Sequence, residues 1–175
     1  MTSLVEELQP NSLDDSNLIS GLVRILRDSI NGNFSVGFLT DEDDRALESF
    51  WREELEAIPH GNIVLVAKTN DEITGVVIVT PENRSNGKHR AEFRKLMVHS
   101  NHQKSGIGSQ LEIAACTRAA QSGISLLYLD SATDFLVERT YQRWGWQKVG
   151  SIPNYATNPD GKLVATTYFY KLIQN

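Results

Sequence analysis

A strand, a short polar loop and a glycine-containing turn that begins a helix follow one another between Arg90 and Leu111. The helix is predicted from apolar residues at helical spacing, namely Ile107, Leu111, Ala114, Ala115 and Ala119, with Gly123 as a left-handed stop. The first amides of a helix have no intrahelical acceptor, and the helix dipole makes this end positive. Because Gly106 and Gly108 let an anion approach the backbone, the stretch predicts a phosphate or pyrophosphate ligand.

Three alternatives compete with this interpretation of the turn. The two glycines could only shape a loop. A Walker-type phosphate loop is excluded, because no Gly-Lys-Ser/Thr follows. A Rossmann dinucleotide turn is disfavoured, since Leu111 stands where the third glycine belongs and seven residues, His99 to Ser105, separate the strand from the first glycine.

The fuller pattern is Gln103-x-x-Gly106-x-Gly108, downstream of a strand that ends in Leu96-Met97-Val98. It resembles the acetyl-CoA signature Gln/Arg-x-x-Gly-x-Gly/Ala of the GNAT superfamily of N-acetyltransferases. The segment from Tyr141 to Trp146 is similar to the family's Tyr-x-x-x-Gly-aromatic segment. The resemblance covers most of the chain from about Ile63 onward. It implies a single domain over residues 1–175 with an α/β GNAT (acyl-CoA N-acyltransferase) fold: a mixed, mostly antiparallel sheet with helices on both faces.

The likeness extends to the tabtoxin-resistance subgroup of these enzymes. Close counterparts are found there for Asn33-Phe-Ser-Val-Gly-Phe, Arg90-Ala-Glu with Lys95-Leu-Met-Val, Leu127-Tyr-Leu-Asp and Pro159-Asp-Gly-Lys-Leu. This resemblance implies protection against an amino-acid-like toxin, or modification of a related metabolite.

The family resemblance also implies a set of acetyl-CoA contacts. Backbone groups of Leu96, Met97 and Val98 would hold the pantetheine. The pyrophosphate would lie on the turn formed by Gln103, Lys104, Ser105, Gly106, Ile107, Gly108 and Ser109. The family often has an asparagine seven residues before the tyrosine. Here the residue is Asp134, which can accept that hydrogen bond but not donate it.

Three side chains are candidates for moving protons during acetyl transfer. Glu92 has the spacing to the turn of the general-base glutamate in the histone-acetyltransferase branch; alternatively, it forms a salt bridge with Arg90 or Arg94. Asp130 closes an apolar strand and would bind or deprotonate a cationic amine; alternatively, it is a cap or turn residue. Tyr141 would protonate the departing thiolate; alternatively, it is a core aromatic residue beside Val137 and Trp144.

Two loops are predicted to close the acceptor pocket. Phe34 to Leu39, with Phe34 and Phe38 as contacts, forms either one wall of the pocket or a hydrophobic lid on the core. The turn-rich segment from Asn154 to Gly161, with Tyr155, lies on the other side. Together with Glu92 and Asp130, these residues favour a small polar amine.

The remaining elements follow from periodicity and turn residues. Helices are predicted over Ser16–Ile30, from Thr40 onward, and after a capping box formed by Ser131 and Asp134. Further strands are predicted over residues 3–9, Ile63–Ala67, Ile73–Val79, Ile124–Asp130, Trp146–Ile152 and Val164–Leu172.

Composition excludes several classes of function. A net charge of −5 argues against a nucleic-acid partner. No apolar run is long enough to span a bilayer, the start is unlike a signal peptide, and a single cysteine, Cys116, fits the reducing cytoplasm. His99 and His102 lack further ligands, so no metal is expected. A monomer and a homodimer are both compatible with the sequence.

The sequence therefore predicts an acetyl-CoA-dependent N-acetyltransferase that acts on a small, amino-acid-like amine by direct attack in a ternary complex. The alternatives are a peptide or protein N-acetyltransferase and a catalytically inert acyl-CoA-binding regulator. An inert regulator would keep the glycine turn and lose the proton-handling groups, whereas this chain retains Glu92, Asp130 and Tyr141.

Overall fold

The computed structural model of the protein describes residues 4–173, and of Phe135 only the backbone. In this part of the chain the strands are β1 Leu4–Glu7, β2 Ile63–Thr69, β3 Glu72–Pro81, β4 Arg90–Val98, β5 Leu126–Ala132, β6 Gln147–Thr157 and β7 Leu163–Leu172. The helices are α1 Ser16–Asn31, α2 Asp44–Glu56, α3 Ile107–Gln121 and α4 Phe135–Arg143.

The strands form one mixed sheet in the order β1-β2-β3-β4-β5-β7-β6. Neighbouring strands are antiparallel except for β4 and β5, which are parallel. This parallel pair is short, because it joins only Arg90–Glu92 to Leu126–Tyr128. Beyond it, β4 continues to Val98 and β5 to Ala132 without pairing to each other. The sheet is therefore open between these two strands.

Helices cover both faces of the sheet, as the sequence predicts. On one face, α1 and α2 bury Leu22 and Trp51 against the valines of β2 and β3. On the other face, α3 buries Leu111 against Phe93 and Leu127. Burial of each such side chain contributes roughly 1.5–3 kcal/mol.

Gly75 on β3 allows α3 to lie this close to the sheet. A Cβ at this position would be 2.8 Å from Leu111 Cδ1 and 3.2 Å from the carbonyl oxygen of Met97. A larger residue would therefore push the helix that begins at the glycine turn away from β4.

The strand β4 contains a bulge at Lys95. Its register against β3 shifts between Val76 and Ile78, and Lys95 has φ +55°. A left-handed backbone at a residue other than glycine costs about 1–2 kcal/mol. The bulge also reverses the alternation of side chains, so Met97 packs with α1 and α2, whereas Leu96 and Val98 pack with α3.

Three predicted boundaries are wrong. The helix expected from Thr40 begins at Asp44 behind the cap Asp43, because the amide and hydroxyl of Thr40 both donate to Pro159 O. The expected Ser131–Asp134 capping box does not form: Ser131 belongs to β5, and Asp134 alone caps α4. Strand β6 continues through Thr157, which leaves a shorter turn before β7 than predicted.

Candidate active site

The opening between β4 and β5 leaves one edge of β4 without a strand partner. This edge contains Leu96, Met97 and Val98, the residues predicted to hold pantetheine. The side-chain amide of Gln103 donates to Val98 O at 3.3 Å, which fixes the start of the turn against the strand. An extended ligand with amide groups fits this edge, because backbone donors and acceptors there have no strand partner.

The turn after β4 has the geometry expected of an anion cradle. Gly106 is the N-cap of α3 with φ +89°, and no side chain caps the helix. The first turn of α3 also contains no acidic residue. By contrast, aspartate side chains cap the N-termini of α1, α2 and α4, at Asp15, Asp43 and Asp134. The first amides of α3 are thus left for an external acceptor, which fits the pyrophosphate of acetyl-CoA.

The two positions in the turn differ in how strictly they require glycine. A Cβ at Gly106 would meet nothing within 4 Å, so this position needs glycine for its positive φ. A Cβ at Gly108 would lie 3.6 Å from Trp144 and 3.8 Å from Val98, which are ordinary contacts.

Glu92 and Asp130 lie on the same face of the sheet, on either side of the opening. Glu92 is opposite Tyr128 on β5, and Asp130 is two residues further along that strand. The expected alternative for Glu92 does not occur, because Arg90 pairs with Glu82 at 3.0 Å and Arg94 pairs with Glu54 at 2.5 Å.

The surroundings of both carboxyl groups favour their neutral forms. Burial is the main cause that raises the pKa of Glu92; the charges of Arg94 and Lys95 oppose this shift, and the charge of Asp130 adds to it. Partial burial also raises the pKa of Asp130, although the residue as a whole is exposed at the opening, and Lys95 opposes this shift. Asp130 lies within β5 opposite Tyr168, rather than at a strand end, so the alternative role as a cap or turn residue does not apply.

Tyr141 lies on the opposite face from the two carboxylates. Its ring contacts Trp144 and Trp146, each with centroids 5.8 Å away, and Phe169 at 5.4 Å. Its hydroxyl makes no hydrogen bond to the described residues, while burial, followed by Glu112 and Asp130, raises the pKa of the phenol. The side chain thus packs as a core aromatic residue and keeps a free hydroxyl donor.

A buried ion pair supports the rings around Tyr141. Glu112 is 2% exposed and accepts hydrogen bonds from Trp146 Nε1 at 2.9 Å and Lys171 Nζ at 2.8 Å. Lys171 also donates to Trp144 O at 2.7 Å. Since Trp144 lies against Gly108, the same network joins the tyrosine to the turn.

The two loops predicted to close the acceptor pocket are bonded to each other. Thr40 Oγ1 donates to Pro159 O at 2.7 Å, and the amide of Asp160 donates to Asn33 Oδ1 at 3.2 Å. The segment from Asn33 to Thr40 therefore joins the turn between β6 and β7.

The predicted acceptor contacts differ in exposure. Phe38 is partly buried against the α1–α2 cluster, with its ring 5.3 Å from Phe50, whereas Phe34 is 51% exposed. Tyr155 is also 51% exposed, and its ring is 5.7 Å from Tyr168.

Sequence reasoning missed the cation at this site. Lys95 donates to Val36 O at 2.6 Å, and its ammonium lies near the carboxylates. In a regular strand, Lys95 would share a face with Phe93 and point into the α3 core. The signal was available: a lysine at a core-facing strand position indicates an irregular strand.

The other polar candidates have structural partners. Asp134 Oδ1 accepts from the amides of Leu136 and Val137, so its predicted contact with acetyl-CoA would use the other oxygen. His99 Nδ1 accepts from the amide of Asn101 at 3.3 Å. Burial raises the pKa of Cys116 to about 12, which keeps it a thiol at neutral pH.

Residues 4–173 contain neither a metal-binding cluster nor a membrane-spanning helix. No group of three or more His, Cys, Asp or Glu side chains is placed to hold a metal ion. No helix in the same range is long and apolar enough to cross a membrane.

Comparison with known proteins agrees with this geometry. The sequence model of the acetyltransferase (GNAT) family matches residues 23–146. A GNAT-family acetyltransferase structure from Streptococcus pneumoniae is 25% identical, with a TM-score of 0.78, covering 98% of this chain and 100% of that one.

Two further structures share the fold. A Salmonella typhimurium structure described as an acetyltransferase with its cofactor acetyl-CoA is 15% identical, with a TM-score of 0.79 and coverage of 100% and 96%. The ribosomal-protein-alanine N-acetyltransferase of Brucella melitensis is 17% identical, with a TM-score of 0.78 and coverage of 97% and 99%. This chain therefore belongs to the GNAT family and is an acetyl-CoA-dependent N-acetyltransferase.

Proposed function

We propose that the enzyme acetylates the primary amine of a small, polar, amino-acid-like compound by direct attack in a ternary complex. The observation that carries this proposal is the pair of carboxylates, Glu92 and Asp130, on one face of the opening with no described cation paired to either. A cationic amine would give these carboxylates a direct ion-pair partner, which the nearby Arg94 and Lys95 do not. We infer that the two loops joined by Thr40 and Asn33 enclose this space, since Lys95, which lies near both carboxylates, donates to Val36 O in one of them.

Each of the three predicted residues has a defined task in this proposal. Acetyl-CoA, when bound, supplies the acetyl thioester that the amine attacks and the thiolate that leaves. Glu92 or Asp130 accepts the proton of the substrate ammonium, and a raised pKa makes either carboxylate a better base. Tyr141 donates its hydroxyl proton to the thiolate sulfur. Because the carboxylates and the tyrosine lie on opposite faces, proton removal and proton donation take place on the two sides of the opening.

A peptide or protein acceptor is the second enzyme candidate. The Brucella melitensis enzyme is named as acting on ribosomal-protein alanine, but at 17% identity it is a guide to the fold alone. An extended peptide needs an open groove, whereas here the Asn33–Thr40 segment is hydrogen-bonded to the β6–β7 turn. This contact favours a small acceptor. An inert acyl-CoA-binding regulator is disfavoured by the retained proton-handling groups.

The proposal also includes the biological role of the enzyme, its domain organisation and its location. The segments similar to tabtoxin-resistance enzymes include Leu127-Tyr-Leu-Asp130, which contains one of the two carboxylates. We infer a role in protection against an amino-acid-like toxin or in modification of a related metabolite. We further infer that residues 1–175 act as one domain in the cytoplasm, as a monomer or homodimer.

A screen of acceptors with release of free thiol from acetyl-CoA tests the proposal. The panel contains amino acids, amino-acid-like toxins, simple amines and short peptides with free N-termini or lysines. Turnover of small amino-acid-like amines above the hydrolysis background is the expected result. Exclusive turnover of peptides would overturn the small-acceptor proposal, and acetyl-CoA binding without any turnover would favour the inert regulator.

A further inference from the structure

The side chain of Lys95 links strand β4 to the segment from Asn33 to Thr40. Its ammonium donates to Val36 O at 2.6 Å, and a Cβ on Gly37 would be 3.2 Å from the same nitrogen. The ammonium also lies 5.9 Å from the centre of the Phe38 ring and 5.4 Å from that of Phe50. A carbonyl oxygen and two aromatic rings are therefore the close partners of this cation.

The backbone of β4 directs the side chain to this place. The bulge gives Lys95 a positive φ that glycine adopts without strain, yet the residue is a lysine. A strained non-glycine residue at a functional site points to a role for its side chain.

The charge of Lys95 makes no ion pair with a carboxylate of the described residues, although three are near it. These are Glu54 on α2, Glu92 on β4 and Asp130 on β5. Burial, followed by Arg94, lowers the pKa of Lys95, and the three carboxylates oppose that shift. Arg94 and Glu54 are paired with each other. The unpaired carboxylates close to Lys95 are thus the two that we assign to the acceptor amine.

We propose that Lys95 is a specificity-determining positioning residue, which holds the Asn33–Leu39 loop over the acceptor site and is itself held away from Glu92 and Asp130. This inference rests on the proposed function of those two carboxylates. If the Val36 carbonyl and the two rings did not hold the ammonium, it would pair with a carboxylate and compete with the substrate amine. The contact therefore keeps the acceptor site both shaped and negatively charged.

Three substitutions at this position separate side chain, charge and backbone. Lys95→Met keeps the length and loses the charge, Lys95→Arg keeps the charge, and Lys95→Gly relieves the backbone and removes the side chain. Lys88→Met is the matched control, because Lys88 is exposed and lies in the β3–β4 loop. Steady-state constants are measured with the best amine from the acceptor screen.

We expect Lys95→Met and Lys95→Gly to raise KM for the amine at least tenfold and to leave KM for acetyl-CoA within twofold. Both should move the acidic limb of the kcat/KM profile to higher pH, because removal of the cation further favours the protonated carboxyls. Lys95→Arg should keep the wild-type limb and much of the amine affinity. Lys88→Met should match the wild type.

Two results would overturn the inference. One is a Lys95→Gly enzyme with wild-type KM for the amine, which would reduce Lys95 to a bulge residue. The other is an unmoved acidic limb in both Lys95→Met and Lys95→Gly. Failure of the proposed function itself is distinct, since the wild-type enzyme would then acetylate no small amine in the screen.

Discussion

Glu92 on β4 lies directly opposite Tyr128 on β5, and within residues 4–173 no later pair joins these two strands. The proposed base is thus placed at the point where the sheet opens. The two carboxylates lie on one face of the sheet, whereas Tyr141 and its surrounding rings pack on the other face with α3. The end of this strand pairing therefore places Glu92 and Asp130 at one opening, and the charge of Asp130 reaches Tyr141 on the other face of the sheet.

Substitution of Gly106 tests the anion cradle. Gly106→Glu should weaken acetyl-CoA binding at least tenfold, because it adds a negative charge and a Cβ to the helix start that we assign to pyrophosphate. Gly123→Glu is the matched control, since Gly123 ends α3 with φ +81° and a Cβ there would also meet nothing within 4 Å.

Both variants should lose about 1–2 kcal/mol of folding free energy from the positive φ. Isothermal titration with acetyl-CoA and denaturant unfolding measure the two effects separately. Equal acetyl-CoA affinity in the two folded variants would exclude the cradle.

Tyr141→Phe should lower kcat by about 10²- to 10⁴-fold with little change in either KM, because proton donation to sulfur belongs to the transition state. The ring contacts remain, so the fold should be retained. Tyr170→Phe provides the control, since Tyr170 donates instead to Gln147 on β6. Wild-type kcat in Tyr141→Phe across the pH range would leave this residue with packing alone.

Sequence periodicity predicted the main scaffold well. The strand Arg90–Val98 and a helix from Ile107 are found at these residues, because a continuous strand pattern and a glycine turn are local signals. Thr40 was misplaced because its partner is Pro159, far away in the chain, and no local pattern reveals such a hydrogen bond. For Lys95 a local signal existed, namely a lysine at a core-facing strand position, but the direction of its side chain depends on a bulge set by pairing with β3.

The candidate site likewise contains features that the sequence could predict and features that it could not. The turn at Gly106 follows from spacing and helix physics, and the structure gives it an uncapped helix start. The absence of a salt bridge from Glu92 to Arg90 or Arg94 could not be predicted, because both arginines pair with glutamates outside β4, namely Glu82 and Glu54.

Glu92→Gln should remove the acidic limb of the kcat/KM profile if Glu92 is the base. In the wild type this limb should lie above the ordinary glutamate value of 4.5, because burial raises the pKa of Glu92. Glu56→Gln, at an exposed position on α2, is the control. An identical limb in Glu92→Gln and wild type would transfer the role to Asp130.

The raised pKa of Glu92 also predicts how folding stability depends on pH. As the pH rises and Glu92 loses its proton, activity should increase, whereas folding stability should decrease. At low pH Glu92 is protonated in both the folded and the unfolded chain and has no net effect. As the pH rises from 4.5 through the raised pKa, the folded state holds the proton longer, so unfolding becomes easier. Glu92→Gln should therefore be more stable than the wild type at neutral pH and not at acidic pH, which denaturant titrations at both values will show.

Thr40→Val should loosen the contact between the acceptor loops. It removes the hydroxyl donor to Pro159 O and should cost about 0.5–1.5 kcal/mol of folding free energy. We expect a higher KM for the amine and an unchanged KM for acetyl-CoA. Thr117→Val, on the exposed side of α3, controls for the loss of a threonine hydroxyl that bonds within its own helix. A stability loss without any change in amine KM would limit the contact to folding.

Asp130→Asn tests whether the acceptor is a cation. The substitution keeps the shape of the side chain and removes its charge, so the amine loses an attraction that is worth about 1.5–3 kcal/mol for a charged hydrogen bond. KM for the amine should rise about 10- to 100-fold, while KM for acetyl-CoA stays nearly constant. Asp71→Asn, in the β2–β3 turn with φ +64°, is the control, because asparagine tolerates this backbone.

A neutral competitor sharpens the same test. An isosteric alcohol analogue of the amine should inhibit the wild type weakly and should bind Asp130→Asn about as well, since neither interaction involves two charges. If Asp130→Asn instead raises both Michaelis constants equally, the carboxylate supports the fold of the opening rather than the acceptor. If it alters neither constant and lowers only kcat, Asp130 is the base and the binding role falls to Glu92.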